Sequence, residues 1–255
     1  MRVSIVQSSL QWENPAANIK YFEDKIVEVA PNSDLIVLPE MFTTGFCMNP
    51  EKMAEEHPGK TVQWITCMAA NNKVAITGSY IAKENGKYYN RMLFAFPNGN
   101  VEHYDKRHLF RMGEEDKHYT PGSKRVIVSY LGWRILLLVC YDLRFPVWSR
   151  NQNNYDLIVL VANFPESRRF AWNTLLLARA MENQCYVAAC NRIGADGNSI
   201  NHSGDSQIID PLGHVLAIAS PNNEEVLTST LSLEYLINAR EKFPVHLDSD
   251  NFKIL

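Results

Sequence analysis

The chain alternates short runs of Val, Ile and Leu with polar, turn-rich stretches, and a few segments carry apolar residues at helical spacing instead. Residues 3–7 alternate as a strand. Residues 16–29 place Ile19, Phe22, Ile26 and Val29 on one helical face, and 34–38 reads as a buried strand ending at Pro39-Glu40. This β-α-β opening predicts a parallel strand pair. A second helix is expected over 61–71. Strands at 73–81, 88–96 and 101–105 then form a meander, the first two joined by the turn Lys83-Glu-Asn-Gly86. Beyond the polar stretch 106–124 come strands at 125–129, 133–139 and 155–161, a helix over 167–184 and a strand over 185–190, a further βαβ-like unit. Segments 206–209, 214–218 and 225–231 read as strands, ahead of a short helix from Ser232 and an irregular tail. Two buried parallel-type runs require helical cover. The pattern predicts a mixed α/β fold, a two-sheet sandwich flanked by helices. A doubly wound sheet fits the meander and the all-β segment 206–231 poorly.

Composition narrows this further. No low-complexity linker divides the 255 residues, so a single domain over 1–255 is expected. Five cysteines is an odd count without a CxxC pair, and the opening residues lack a cationic stretch leading into a long apolar one. A reduced, cytoplasmic protein is expected. Lys plus Arg, 25, against Asp plus Glu, 28, leaves −3 and no basic footprint for nucleic acid. Apolar runs such as 135–139 fall far short of the roughly 20 residues that span a bilayer. With 46% hydrophobic and 21% charged residues, disorder is excluded as well.

Buried strands of α/β proteins end at loops that carry function, so the first polar residue after each apolar run is a candidate. Three stand out: Glu40 after Leu-Ile-Val-Leu-Pro, Lys106 after Val-Glu-His-Tyr-Asp, and Cys140 after Ile-Leu-Leu-Leu-Val. Cys140 leaves its strand into Tyr-Asp-Leu-Arg, whereas Cys185 and Cys190 belong to an apolar strand, and Cys47 and Cys67 have no base nearby in sequence. Those four read as small packed hydrophobes. A carboxylate rising from apolar residues is desolvated, which is expected to raise the pKa of Glu40. A nucleophile, a base and a cation together make a chemical set for acyl transfer.

The segments Leu38-Pro-Glu40, Tyr104-Asp-Lys106-Arg-His-Leu-Phe110 and Cys140-Tyr-Asp-Leu-Arg-Phe-Pro146 resemble, in order, the three signature regions of the nitrilase superfamily of carbon–nitrogen hydrolases. Arg179-Ala-Met-Glu-Asn-Gln184 and Gly204-Asp-Ser-Gln207 resemble further superfamily segments, so the resemblance covers essentially the whole chain. It implies a four-layer α-β-β-α sandwich that pairs into a homodimer. It also implies that Cys140 attacks a carbonyl carbon, Glu40 moves the proton, and Lys106 and the Tyr141 N–H hold the oxyanion. A second glutamate is implied in Gly113-Glu-Glu-Asp116: Glu115, with Glu114 as alternative.

Cys-Tyr-Asp at the nucleophile, in place of the Cys-Trp-Glu of nitrile-cleaving members, implies an amide substrate. The stretch through Arg150, with 106–111 and Cys190-Asn-Arg-Ile-Gly194, is most similar to bacterial omega-amidases, which cleave 2-oxoglutaramate and related monoamides of dicarboxylic acids. Such a substrate calls for an arginine to grip its distal carboxylate, and Arg144, Arg111 and Arg192 are the candidates. Arg144 is alternatively a brace for Asp142. Phe164 is expected to line the pocket or to pack in the core, and Arg179 with Glu182 to form a structural i, i+3 pair. No cofactor is implied, and no histidine spacing suggests a metal. The rivals are another amidase of the superfamily, for N-carbamoyl amino acids or deaminated glutathione, a papain-like site pairing Cys140 with His108 or His202, and a non-catalytic protein on the same fold.

Overall fold

In the computed structural model, which describes residues 1–250 and 252–254, most of the chain lies in two sheets and the helices on them. The first half contains β1 (Arg2–Gln7), α1 (Pro15–Val29), β2 (Leu35–Val37), α2 (Pro50–Met53), β3 (Glu55–Glu56), α3 (Lys60–Asn72), β4 (Ala75–Glu84), β5 (Lys87–Ala95), β6 (Val101–Asp105) and α4 (Glu115–His118). After these come β7 (Ile127–Tyr130), β8 (Trp133–Val139), α5 (Pro146–Ser149), β9 (Leu157–Ala162), α6 (Arg169–Asn183) and β10 (Tyr186–Asn191). The rest is β11 (Ile193–Ala195), β12 (Asn201–Ser203), β13 (Gln207–Ile209), β14 (Val215–Ile218), β15 (Glu225–Thr230) and α7 (Leu233–Lys242).

One sheet has the spatial order β15-β1-β2-β4-β5-β6, with the short β3 beside β4; the other runs β14-β13-β10-β9-β8-β7. Each has a parallel centre, β1-β2-β4 and β8-β9-β10, and antiparallel edges. Val3 and Ile5 of β1, Val37 of β2 and Phe94 of β5 share one core with Leu137 of β8 and Val159 of β9, so these inner faces pack together. On the outside of the first sheet, α1 and α3 set Phe22, Ile26 and Ile65 against Ile36 and Ile76. On the outside of the second, α6 buries Trp172, Leu176 and Ala180. The result is the expected four layers, helix, sheet, sheet, helix. Each large apolar side chain so buried contributes about 1.5–3 kcal/mol.

Local chemistry sets the ends of the helices. Asn14 caps α1 by accepting from the Ala17 N–H at 3.2 Å, and Pro15 supplies a residue that needs no donor there. Ser232 caps α7 through the Tyr235 N–H at 3.1 Å. Most strand and helix boundaries fall within about two residues of the pattern-based ones, but β4 runs three residues past its expected end, to Glu84, and takes Lys83 and Glu84 from the expected turn. The short helices α2, α4 and α5 and the hairpin β11-β12 carry no apolar period of their own, and the pattern passed over them. One cysteine also differs from expectation: Cys67 is exposed on α3, while the other four are buried. No helix among the described residues is long and apolar enough to cross a membrane.

Candidate active site

Three strand ends converge between the sheets. Pro39 has no N–H to continue β2, so the chain turns there, and Glu40 projects fully buried. Lys106 follows β6 and is equally buried. Its Nζ donates to Glu40 Oε1 at 2.9 Å and to both oxygens of Glu115, Oε1 at 3.0 Å and Oε2 at 2.9 Å. Asn90 Nδ2 ties the two carboxylates together, donating to Glu40 Oε1 at 2.8 Å and Glu115 Oε1 at 3.1 Å. The Phe110 N–H donates to Glu115 Oε2, and the Asn163 N–H to Glu40 Oε2 at 2.7 Å. Glu114 lies outside this cluster, exposed and paired with Lys117.

Cys140 follows β8 with a left-handed φ of 45° and opens a single 3-10 turn, residues 140–144. Asp142 holds that turn. Fully buried, it accepts from the Val139 N–H at 3.0 Å, the Tyr104 hydroxyl at 2.7 Å and the His108 N–H at 3.0 Å, and it meets His108 Nδ1 at 2.7 Å. His108 thus faces Asp142 and stacks flat on Phe145 at 3.7 Å. From the other side, Arg179 Nη2 donates to the Leu143 carbonyl at 2.6 Å, while its Nη1 pairs with Glu182 at 2.8 Å. Asp142 does not pair with Arg144.

The electrostatics follow from one cation between two buried acids. Burial alone pushes the Glu40 carboxyl upward, as expected from sequence. The Lys106 charge, with hydrogen bonds from Lys106, Asn90 and Asn163, outweighs it and leaves the pKa below the ordinary carboxylate value. For Glu115, burial and the charge of Glu40 win over Lys106, and its pKa is raised. Lys106 is held above the usual lysine range: burial opposes its charge, but Glu115 and Glu40 overcome burial. Burial, and after it Glu40, lift the Cys140 thiol well above a normal cysteine, so the resting sulfur is protonated.

A cavity of about 330 Å³ opens onto Cys140, walled by Phe46, Tyr141, Asn163, Phe164 and Arg144 among others. Phe164 is both lining and core, packing on Trp172 at 5.2 Å. Arg144 is exposed, with its guanidinium over the Phe164 ring at 5.8 Å from the centroid. The other two arginine candidates do not reach the cavity. Arg111 is 86% exposed and faces Asp116 at 3.7 Å. Arg192 is buried, donating to the carbonyls of Ile193, Leu10 and Ala195; burial pulls its pKa down to about 10, and the charge of Asp196 only partly opposes this.

Asn90 and Asn163 were not singled out in the sequence, and Asp142 only as a partner for Arg144. Asn163 had a signal: it is the first polar residue after the apolar run of β9, as Glu40 and Cys140 are after theirs. Asn90 lies within β5 and Asp142 inside the nucleophile motif, where nothing local marks their partners.

An α-β-β-α sandwich with a buried Glu-Lys-Glu cluster beside a cavity cysteine defines a class of carbon–nitrogen hydrolases. The chain belongs to the carbon-nitrogen hydrolase family, whose model matches residues 2–241. It is 46% identical over 256 aligned residues to omega-amidase YafV of Escherichia coli, covering 100% of this chain and 98% of that one. It is 34% identical over 251 residues, 96% of each chain, to the 2-oxoglutaramate amidase of Bacillus subtilis. Among solved structures, a CN-hydrolase superfamily protein of Xanthomonas campestris with an arsenic adduct in its active site superposes with a TM-score of 0.97. That protein is 45% identical, with 100% of this chain and 98% of that one covered.

Proposed function

We infer that the protein is an omega-amidase, hydrolysing the terminal amide of 2-oxoglutaramate or a related dicarboxylic monoamide through a cysteine thioester. The observation that carries the reading is the Cys140 thiol on the cavity beside the buried Glu40–Lys106–Glu115 cluster. Full-length similarity to two omega-amide hydrolases supports the substrate class.

Glu40, ionised, takes the Sγ proton as sulfur attacks the amide carbon, forming the C–S bond. The oxyanion that develops is met by Lys106 Nζ and by the Tyr141 N–H, an amide in the first turn without an intrahelical acceptor. Lys106 can release one of its two contacts to Glu115 and still stay anchored. Collapse breaks the C–N bond, and the proton on Glu40 goes to the departing ammonia. Water, deprotonated by Glu40, then attacks the thioester, and the thiol recovers its proton as the C–S bond breaks. Arg144, alone of the three arginines considered from sequence, lines the cavity and grips the distal carboxylate.

Five free cysteines fit a reducing compartment, the cytoplasm. Exposed Met181, Val215, Leu216 and Ile218 give a homodimer an apolar surface to cover. The activity is tested by ammonia release from 2-oxoglutaramate, N-carbamoyl-β-alanine, glutamine and a simple nitrile. 2-Oxoglutaramate is expected to be turned over with the highest kcat/KM. Preference for the carbamoyl compound would leave an amidase but not this one, and rates equal to buffer on every amide would remove the enzyme reading.

A further inference from the structure

A 2-oxo acid presents three acceptor oxygens at its head, two on the carboxylate and one on the ketone. One planar guanidinium engages two of them in a fork, so a second donor of like charge would complete the recognition. The cavity contains one. Arg168 lies just before α6, half-buried, with its guanidinium over the Phe110 ring at 5.2 Å from the centroid and Nη2 2.8 Å from Met112 Sδ.

Its neighbour shows the contrast. Arg169 is bound in a fork by Asp205, at 2.8 and 2.7 Å, and serves the fold. Arg91, Arg134 and Arg240 likewise face carboxylates. Among the described residues, Arg144 and Arg168 have no carboxylate within ion-pair distance, and both line the cavity, each resting on an aromatic ring of its wall. The single acid lining that cavity among the described residues, Asp196, uses Oδ1 to accept from the Asn198 and Ile200 N–H groups. Two cations without acid partners at a largely apolar wall suit a carboxylate. A thioether is a weak acceptor that a carboxylate displaces easily.

We propose that Arg168 is a second specificity-determining residue, closing with Arg144 on the carboxylate-bearing head of the substrate while the amide lies at Cys140. The proposal rests on the omega-amidase reading and adds to it a clamp of two arginines from opposite ends of the sequence between β8 and α6. It does not extend to chemistry at the amide, so it acts on which amide is chosen.

The test compares kcat/KM for 2-oxoglutaramate with that for a neutral amide of similar length, pentanamide, in the wild type, Arg168→Gln and Arg168→Lys, with glutarate as a competitive inhibitor. Arg168→Gln is expected to lower the ratio of the two kcat/KM values about ten- to hundredfold, chiefly through KM, and to weaken glutarate in parallel. Arg168→Lys should recover part of the ratio, since it keeps the charge and loses the fork. A wild-type enzyme that does not favour the carboxylated amide would overturn the omega-amidase reading itself. A wild type that favours it, with Arg168→Gln leaving the ratio and the glutarate inhibition constant unchanged, would overturn the role of Arg168 alone. Thermal unfolding of each variant separates a lost fold from a lost contact, and the lysine variant carries the test if the glutamine variant is unfolded.

Discussion

At the scale of single residues, the site is governed by charge stoichiometry: two buried carboxylates, one ammonium and a thiol. Lys106, shared by Glu40 and Glu115, favours a thiolate less than burial and the charge of Glu40 oppose it, and Cys140 stays protonated until Glu40 takes its proton. The motifs made Glu40, Lys106 and Cys140 legible, because each ends an apolar run. The sign of the Glu40 shift was not legible, since it depends first on Lys106 standing 2.9 Å away and then on donors from Asn90 and Asn163, 50 and 123 residues distant in sequence. A prediction follows for Glu115→Gln. The acids titrate as a pair, one proton held above and one below the ordinary carboxylate range. Removing the charge of Glu115 removes the repulsion that favours a proton on the pair and leaves Lys106 entirely to Glu40, so protonation of Glu40 then requires a lower pH. The acid limb of kcat/KM against pH should move to lower pH, while kcat drops about a hundredfold as Lys106 loses its anchor. Lys106, held above the usual lysine range, should contribute no alkaline limb below about pH 10. An acid limb that stayed in place or moved upward would contradict the shared-cation account.

At the scale of elements, strands aim the chemistry and the turns after them finish the aim. Apolar runs located the strands well because burial on both faces leaves little choice of residue. The hairpin β11-β12 escaped that logic. It is held by Arg192 reaching three carbonyls and by Asp196 accepting from its turn, contacts between polar residues that no periodicity records. The nucleophile turn has the same character, because four hydrogen bonds converge on Asp142 from β6, β8 and the loop carrying His108. Asp142→Ala would leave the Val139 and His108 N–H groups and the Tyr104 hydroxyl without an acceptor, a cost of about 3–5 kcal/mol. Asp142→Asn keeps the shape but turns one acceptor into a donor facing others, costing about 1–3 kcal/mol. Urea unfolding should rank the wild type above the asparagine variant and that above alanine. Equal stabilities would mean that the turn holds itself.

At the scale of the whole molecule, the layers share their interior. Residues of β1, β2, β5 and β6 and of β8, β9 and β10 belong to one cluster, and β15 near the end of the chain pairs with β1 at its start, Arg2 opposite Thr230. Neither sheet can leave the other without exposing the face that both bury, and the family match spans residues 2–241 without interruption. We therefore propose that the chain unfolds as one domain. The edge strand β14 exposes Val215, Leu216 and Ile218, which in a homodimer would be covered, so unfolding would be coupled to dissociation. Scanning calorimetry at rising protein concentration should give a single endotherm whose midpoint climbs with concentration. Two separated transitions would break the one-domain proposal. A single transition with a midpoint independent of concentration would keep the domain and remove the dimer, because mass action stabilises a folded state only through a partner that it binds.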